Sequence, residues 1–471
     1  MIGSYPIDEK DYDAEANANY LNTLAYNYHL LKLFPYPKCQ NISFSLNPKL
    51  IAKSKYIELI DDCHSFDAIL AQMYNNIPNL IKFYKDYASG DDLVLIFLEL
   101  YEELSREGFN RNKPTIYIKR HDFMYDKQLN EFIEVEYNLM AASAGFHAEN
   151  ARRVLQHYHT LFKSKDIDFV ENPYKEFHLE TFVKFWSYYC NPDAYIAIIL
   201  TEGEWNLFET IQNQQHLLAA GIKTIRILVK DIFKEKFWRD DGNNLIYEGK
   251  EIGMVYYRYL YDSTHFINDT KAFVINAELS NALCLPSLET WLVNMKMNQY
   301  LLFSEKAKAN YNISNIEVGA FEKHLCPHYT LKDTFFNDKA RMLEFIRQNL
   351  DGLLLKSFKE GGFGEIYGGE DLLSFVMKNP IDILNRYLLV KKINAVAYPT
   401  SAFIEGKVRY FKESETELGI FTSAVLKIDE NKTWNIDFQK GAAYLLRTKP
   451  AATIKGGIAV NASFVDVLAY Q

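Results

Sequence analysis

Hydrophobic positions recur at helical spacing through most of residues 15–110, and that stretch is expected to be mainly helical. The pattern then switches. Residues 115–137 alternate apolar and polar side chains (PTIYIKRHDFMY, then LNEFIEVEYN), which predicts two strands joined by a turn around Asp126–Lys127. A helix is expected from near His147 to Lys163. From residue 194, AYIAIIL is a continuous apolar run that reads as a strand. FETIQNQQHLLAA reads as a helix, Gly221 follows, and IKTIRILV reads as the next strand. Strand, helix and strand in that order imply parallel pairing, and IGMVYYR (252–258) adds a further strand. TWLVNMKMNQYLLFSEKAKAN reads as one long helix. In the last third, ARMLEFIRQN predicts a helix, GLLLKSF a strand, DLLSFVMKN a short helix and RYLLVKKI a strand. FIEGKVRYF, LGIFTSAVLKI and TWNIDF follow as antiparallel strands. LLRTKPAATIKGGIAVNA is rich in Gly, Ala and basic residues and is expected to be a loop that closes over something. The fold class is therefore α/β (α+β). Three units are expected: a helical and antiparallel region over 1–193, a parallel α/β domain over 194–303, and a second part of the main body over 304–471 with a lid at about 352–395.

A chain of 471 residues is too long for one simple core, which agrees with that division. The net charge of −9 argues against a nucleic-acid partner or an anionic membrane surface, but leaves room for a local basic pocket. Aromatic residues are frequent at 15%. They lie scattered through apolar runs with no accompanying basic cluster, so they read as core and not as an RNA surface. The five cysteines (Cys39, Cys63, Cys190, Cys284, Cys326) are odd in number and widely spaced, and no CxxC occurs, so free thiols in a reducing compartment are expected. The first twenty residues lack a basic stretch followed by an apolar core. The most apolar short run, LVLIFLEL (93–100), falls far below the roughly 20 residues that span a bilayer. A cytoplasmic location without a membrane partner is the expectation.

Three stretches could carry chemistry. In KSFKEGGFGEIYGGE (356–370), Lys356 precedes Glu360, Gly361 and Gly362. Glycines let backbone N–H groups approach phosphate oxygens, Lys356 supplies a point charge, and Glu360 could hold Mg2+. A plain turn between strands is the alternative reading. In EVEYN, regular strand alternation places Glu134, Glu136 and Asn138 on one face, a set of hard oxygens that suits Mg2+; a solvated face is the alternative. Arg447 and Lys449, in the final loop beside Gly456 and Gly457, could clamp a carboxylate or phosphate, or simply be a basic surface loop. HLCPH (His324, Cys326, His328) has the spacing to share one face, but lacks the wider spacing and fourth ligand of a zinc site. Cys63–His64 is a weak nucleophile pair, because sequence neighbours usually point apart.

In this order the segments RHDFMY, EVEYNLMAASAG, TEGEWNLFE, MVYYR with Tyr261, Lys296, KSFKEGGFGEIYGG, ELGIF and LLRTK with the later Gly-Gly resemble the eukaryotic-type glutathione synthetases, a family with a circularly permuted ATP-grasp fold. The resemblance extends over roughly residues 115–460. It implies a homodimeric, ATP- and Mg2+-dependent ligase that joins γ-glutamylcysteine to glycine through an acyl phosphate. It also implies site residues. Glu136, Asn138 and Glu360 match the magnesium ligands. Lys296, Lys356, Gly361, Gly362, Tyr367, Glu417 and Lys449 match ATP contacts, and Val390, Lys391 and Ile393 the adenine side. Arg120, Ser143, Glu204, Asn206, Thr210, Arg258 and Tyr261 fall at positions of the dipeptide site. Arg447, Ile458 and Ala459 match the glycine end. Arg120, Lys356 and Arg447 are the charge-neutralising catalytic candidates. The chain departs from the family pattern at Phe363 and Glu365 (glycine and asparagine), Lys391 (glutamate), Lys455 (aspartate), Ala141 (serine) and Thr210 (glutamine). These departures keep open a ligase with a different γ-glutamyl donor or amine, and a nucleotide-binding paralogue without activity.

Overall fold

The computed structural model describes residues 2–4, 14–33, 38–87, 91–108, 113–162, 167–359, 364–454, 456–458 and 462–471. Glu360, Gly361, Gly362, Phe363, Lys455 and Ala459 therefore lie outside the described residues.

A seven-stranded sheet forms the body. Its order is Ala397–Ile404, Phe44–Ser45, Phe464–Asp466, Trp434–Pro450, Lys407–Ile428, Thr115–Asp126 and Glu131–Asn138. Ala397–Ile404 also pairs with the beginning of Lys407–Ile428, so part of the sheet closes on itself. The strand expected at LGIFTSAVLKI is in fact the second half of a 22-residue strand that also takes in VRYF. LLRTK belongs to the strand Trp434–Pro450 and not to a closing loop. Its register pairs Glu417 with Arg447 and Glu415 with Lys449. Alternation turns Thr448 inward to Thr416 and Asp466, and leaves Arg447 and Lys449 on the other face.

The parallel pairing expected after residue 194 is present. Tyr195–Leu200 lies between Lys223–Leu228 and Lys250–Tyr257, parallel to both, and Leu283–Leu285 adds a parallel pairing to Lys250–Tyr257. Phe237–Arg239 and Leu245–Tyr247 extend this sheet antiparallel. Five consecutive residues of Tyr195–Leu200 are buried, as expected of a strand covered on both faces. A third, antiparallel sheet of His328–Tyr329, Tyr387–Lys391, Leu353–Ser357 and Ile366–Gly368 has its own small core with the helices Lys339–Gln348 and Gly369–Lys378.

The region 15–110 is mainly helical as expected, in Ala14–Asn27, Lys53–Asn75, Ile77–Tyr87 and Asp92–Glu107, and among its described residues it also holds the short strands Leu31–Leu33, Cys39–Asn41, Phe44–Ser45 and Lys49–Ile51. Strands of two or three residues are too short to show a period. They exist because distant partners complete them: Lys49–Ile51 lies between Ile2–Ser4 and Leu468–Tyr470. The long helix expected from Thr290 is three, Leu288–Val293, Met297–Phe303 and Glu305–Asn310. Asn298 turns its amide back to the carbonyls of Leu292 and Val293, and Asn294 accepts the Leu139 amide at 2.6 Å. Ser304 then caps the third helix by accepting from Ala307 N–H. Lys296 sits in the first break.

Candidate active site

A cavity of about 940 Å³ is lined from the three largest sheets. From the six-stranded sheet come Thr201–Asn206 and Arg258–Tyr261, which leave the C-terminal ends of parallel strands, where α/β sheets bind ligands. The seven-stranded sheet contributes Arg120, Glu136, Asn138, Glu417, Arg447 and Lys449. The four-stranded sheet contributes Lys356 and Val390–Lys391, followed by Lys392 and Ile393.

Arg120 and Asp122 stand two apart on one strand and therefore share a face. Their side chains form a two-pronged pair, with Nε to Oδ1 at 2.7 Å and Nη2 to Oδ2 at 2.8 Å. Arg120 Nη1 also donates to the Ser143 carbonyl at 3.1 Å. Asp122 is fully buried and accepts further from Arg447 Nη2 at 3.1 Å and Asn138 Nδ2 at 3.2 Å. Arg447 is in turn paired with Glu417. One carboxylate thus orients two arginines and an asparagine from three strands of one sheet, reaching across the intervening strand Lys407–Ile428 to Arg447.

Glu136 faces this group. Burial alone would raise its carboxyl, but Lys296, Lys356, Arg447 and Arg120 hold it down at about 2. It is ionised throughout the neutral range. Lys296 Nζ is 3.9 Å from it and donates to the Lys359 carbonyl at 2.6 Å. Burial lowers Lys356, with Glu136 opposing the shift, and lowers Lys449, with Glu415 opposing. Glu134 also lines the cavity, but not from the face of Glu136 and Asn138 that strand alternation predicts. A bulge puts Glu136 opposite Asp122 and Glu134 opposite Phe123. Glu134 is thereby given to His121 at 2.8 Å and Gln299 at 2.7 Å.

The dipeptide-side candidates gather round a second carboxylate, Glu209. It accepts from the backbone N–H groups of Ala144 (2.9 Å) and Phe146 (3.1 Å) and from the Asn206 amide, and lies 3.8 Å from Arg258. Arg258 also approaches Glu204 at 3.9 Å and donates to the Ala142 carbonyl at 3.1 Å. Arg258 Nε and Glu204 Oε2 are buried and make no hydrogen bond within the protein. Burial raises Glu204, with Arg258 opposing. Ala141 and Ala144 carry φ of 47° and 72°, and Leu260, between Tyr259 and Tyr261, has φ of 82°. Left-handed backbone at non-glycine residues is strained, and it clusters here at the cavity wall.

Of the residues singled out from the sequence, Arg120, Glu136, Asn138, Ser143, Glu204, Asn206, Arg258, Tyr261, Lys296, Lys356, Val390, Lys391, Ile393, Glu417, Arg447, Lys449 and Ile458 all line the cavity. Thr210 and Tyr367 do not. The Thr210 hydroxyl donates to the Leu207 carbonyl of its own helix at 2.9 Å. The Tyr367 ring stacks on Phe375 with centroids 4.2 Å apart. Lys449 Nζ is engaged with the Ile454 carbonyl at 2.7 Å. The altered carboxylate Glu365 accepts from the Tyr387 hydroxyl. HLCPH is no metal site: His324 bonds Phe132 O and Asp62, and His328 bonds the Cys326 carbonyl. Among the described residues no group of three or more His, Cys, Asp or Glu side chains could hold a metal. All five cysteines are free thiols, and Cys63 is buried, which pushes its thiol up and leaves it inert. Among the described residues no helix is long and apolar enough to cross a membrane.

Sequence reasoning missed Asp122 and Glu209 as organisers. Asp122 was open to detection, because Arg-His-Asp on a strand puts the first and third residues side by side. Glu209 gave little local signal, since apart from nearby Asn206 its partners Ala144 and Phe146 are 65 and 63 residues away and Arg258 follows a different strand.

Comparison with known proteins agrees with this geometry. The chain is similar to the glutathione synthetase of Homo sapiens, 24% identical over 431 residues, covering 90% of this chain and 88% of the human protein. It is 25% identical over 451 residues to that of Bos taurus, with 93% and 90% covered. A chloroplastic glutathione synthetase of Arabidopsis thaliana is 25% identical over 415 residues, with 82% and 71% covered. Among solved structures, a glutathione synthetase-like effector from Globodera pallida in its apo form shares the fold, with a TM-score of 0.72 over 99% of this chain and 100% of that one at 15% identity. The family model described as eukaryotic glutathione synthase, ATP binding domain, matches residues 17–469, and the chain belongs to that family.

Proposed function

We propose that this chain is an ATP- and Mg2+-dependent ligase that joins the cysteinyl carboxylate of γ-glutamylcysteine to the amine of glycine through an acyl phosphate. The observation that carries this reading is the ionised Glu136, beside Asn138, facing Lys296, Lys356, Arg120 and Arg447 in one cavity. Glu136 and Asn138 fit Mg2+, which takes few protein oxygens and completes its shell with water and phosphate. Glu360 is the proposed third ligand. Glu136, Asn138 and Glu360 would hold the metal, which would supply charge neutralisation for phosphoryl transfer.

The chain's own residues have these proposed roles. Lys296, Lys356 and Lys449 hold the phosphates, and Val390–Ile393 the nucleobase. Arg258, Glu204 and Asn206 hold the γ-glutamyl end: the unpartnered Arg258 Nε suits a carboxylate and Glu204 Oε2 an ammonium. Arg120, fixed by Asp122, orients the reacting carboxylate, whose oxygen attacks the γ-phosphorus as ADP leaves. Arg447 stabilises the oxyanion formed when the amine attacks the acyl carbon. Phosphate then departs and the amine loses its proton. Gly361 and Gly362, with Gly456–Ala459, exclude water from the acyl phosphate. In this scheme 194–303 is the substrate-binding unit, 352–395 the lid, and the active form a homodimer.

One observation favours a second reading, a related ligase with a different donor or amine. Thr210 and Ala141 provide no polar contact in place of the longer or hydroxylated side chains usual in the family, and Thr210 does not reach the cavity. The test is to incubate pure protein with Mg-ATP, γ-glutamylcysteine and glycine and follow ADP and product by mass. Glutathione formation is the expected result. Turnover only with another dipeptide or amine would establish the second reading, and absence of nucleotide binding by calorimetry would sink both.

A further inference from the structure

The short strand Leu31–Leu33 pairs with Cys39–Asn41 and lies against two separate walls of the cavity. Leu33 lines the cavity, and its N–H donates to the Trp205 carbonyl at 2.9 Å, between Glu204 and Asn206. Lys32 points elsewhere. It is completely buried, and its Nζ donates to the Ile458 carbonyl at 3.1 Å. Ile458 lines the cavity together with Gly456 and Gly457 at the proposed amine-acceptor side.

That segment is held at several points. Ser463 Oγ accepts from Gly457 N–H at 3.1 Å, and the Gly457 carbonyl accepts from the N–H groups of Ala462 and Ser463, both at 3.0 Å. Lys449 Nζ holds the Ile454 carbonyl on the approach. Lys32 holds the Ile458 carbonyl at the far end. Two lysines, one from the central strand and one from near the N-terminus, therefore hold backbone carbonyls before this turn and within it. A side chain at Gly456 would meet Ser463 Oγ at 2.7 Å, so the backbone is closely packed there.

Burying a lysine is costly unless its ammonium is used. Burial pulls Lys32 down to about 8, with Glu405 opposing the shift. A methionine of similar length would fill the space without that cost.

We propose that Lys32 is a positioning residue for the amine acceptor: by holding the Ile458 carbonyl it fixes the backbone of the Gly456–Ile458 turn against which the incoming amine substrate sits. The two-stranded ribbon of Leu31–Leu33 and Cys39–Asn41 is then a strap that couples this turn to the γ-glutamyl side through Trp205. The acceptor assignment rests on the function proposed above; the clamp itself rests on geometry alone.

The experiment compares wild type with Lys32→Met, which keeps length but removes the donor, and Lys32→Gln, which keeps an N–H donor. Steady-state kinetics give KM separately for ATP, γ-glutamyl donor and amine, and hydrogen exchange reports the amides of Ala462 and Ser463. Lys32→Met should raise the amine KM about tenfold, as when a charge-assisted hydrogen bond is lost, with ATP and donor KM changed less than about twofold. Exchange at Ala462 and Ser463 should accelerate, and Lys32→Gln should fall between. Equal rises in all three KM values, or a fall in kcat alone, would overturn the proposal. So would unchanged exchange in Lys32→Met or, should that variant not fold, in Lys32→Gln. If wild type uses another amine, that amine's KM is read. If it turns over none, the function proposed above fails, and exchange by itself decides on the clamp.

Discussion

At Gly419, in the ELGIF segment, a single methyl group would decide the fate of the site. A Cβ there would lie 2.5 Å from Asp122 Oδ1 and 2.9 Å from Arg120 Cδ. The glycine exists because a neighbouring strand must pass directly over the Arg120–Asp122 pair. Gly419→Ala should displace that pair, cut turnover about 100-fold, and cost about 1–3 kcal/mol of stability. Normal kcat with normal nucleotide affinity would refute this account of the site. The lysines make a second prediction. Burial lowers both Lys356 and Lys449, so both lose their protons earlier on the alkaline side than an ordinary lysine. Nucleotide affinity by calorimetry should therefore begin to fall at a pH below the usual lysine range, and Lys356→Arg should move that fall upward. The sign for stability is opposite. With the folded value depressed, the unfolded chain binds more protons, and the stability contribution of Lys356 improves as pH rises.

Among elements, the informative unit is the loop between Asn138 and the helix Gly145–Phe162. Its left-handed alanines and the Ala144 N–H bond to Glu209, which also accepts from Phe146 N–H in the first turn of the helix, show that tertiary contacts impose its shape. Glu209 joins this loop, Asn206 and Arg258, three parts of one wall. Glutamine in its place keeps the size but sets an NH2 group against at least one donor. Glu209→Gln should raise the donor KM about tenfold or more, an unmatched buried donor costing about 1–3 kcal/mol, and leave the ATP KM nearly unchanged. Equal effects on both would mean that Glu209 is only a structural brace. The break at Asn294–Lys296 teaches the same lesson. The apolar pattern of residues 290–310 is helical throughout, but Asn298 and Asn294 spend their side chains on backbone groups and turn Lys296 toward Glu136.

For the whole molecule, the joint between the N-terminal helices and the parallel sheet is aromatic. Trp291 is buried and stacks on Phe97 with centroids 5.0 Å apart, and it also meets Tyr257 at 5.0 Å. It precedes Lys296 by one turn and a break. Trp291→Ala should lower the unfolding free energy by about 3–5 kcal/mol in denaturant titration. A change below about 1 kcal/mol would show that this joint is not what holds the elements together. The sequence by itself determined the main strands and helices, the parallel pairing after residue 194, the family and most cavity residues. These are written in local periodicity and in short motifs such as EVEYN and ELGIF. Only the tertiary structure decided that Glu134 leaves its face at a bulge, that Arg447 and Lys449 ride on a strand, and that Thr210 and Tyr367 turn away from the cavity. It alone also revealed Glu209 and Lys32 as organisers, and it added the bonds from Arg447 and Asn138 to the Arg120–Asp122 pair that the sequence left open to detection. Glu209 and Lys32 depend on partners far along the chain, and local pattern carries no record of distance in space.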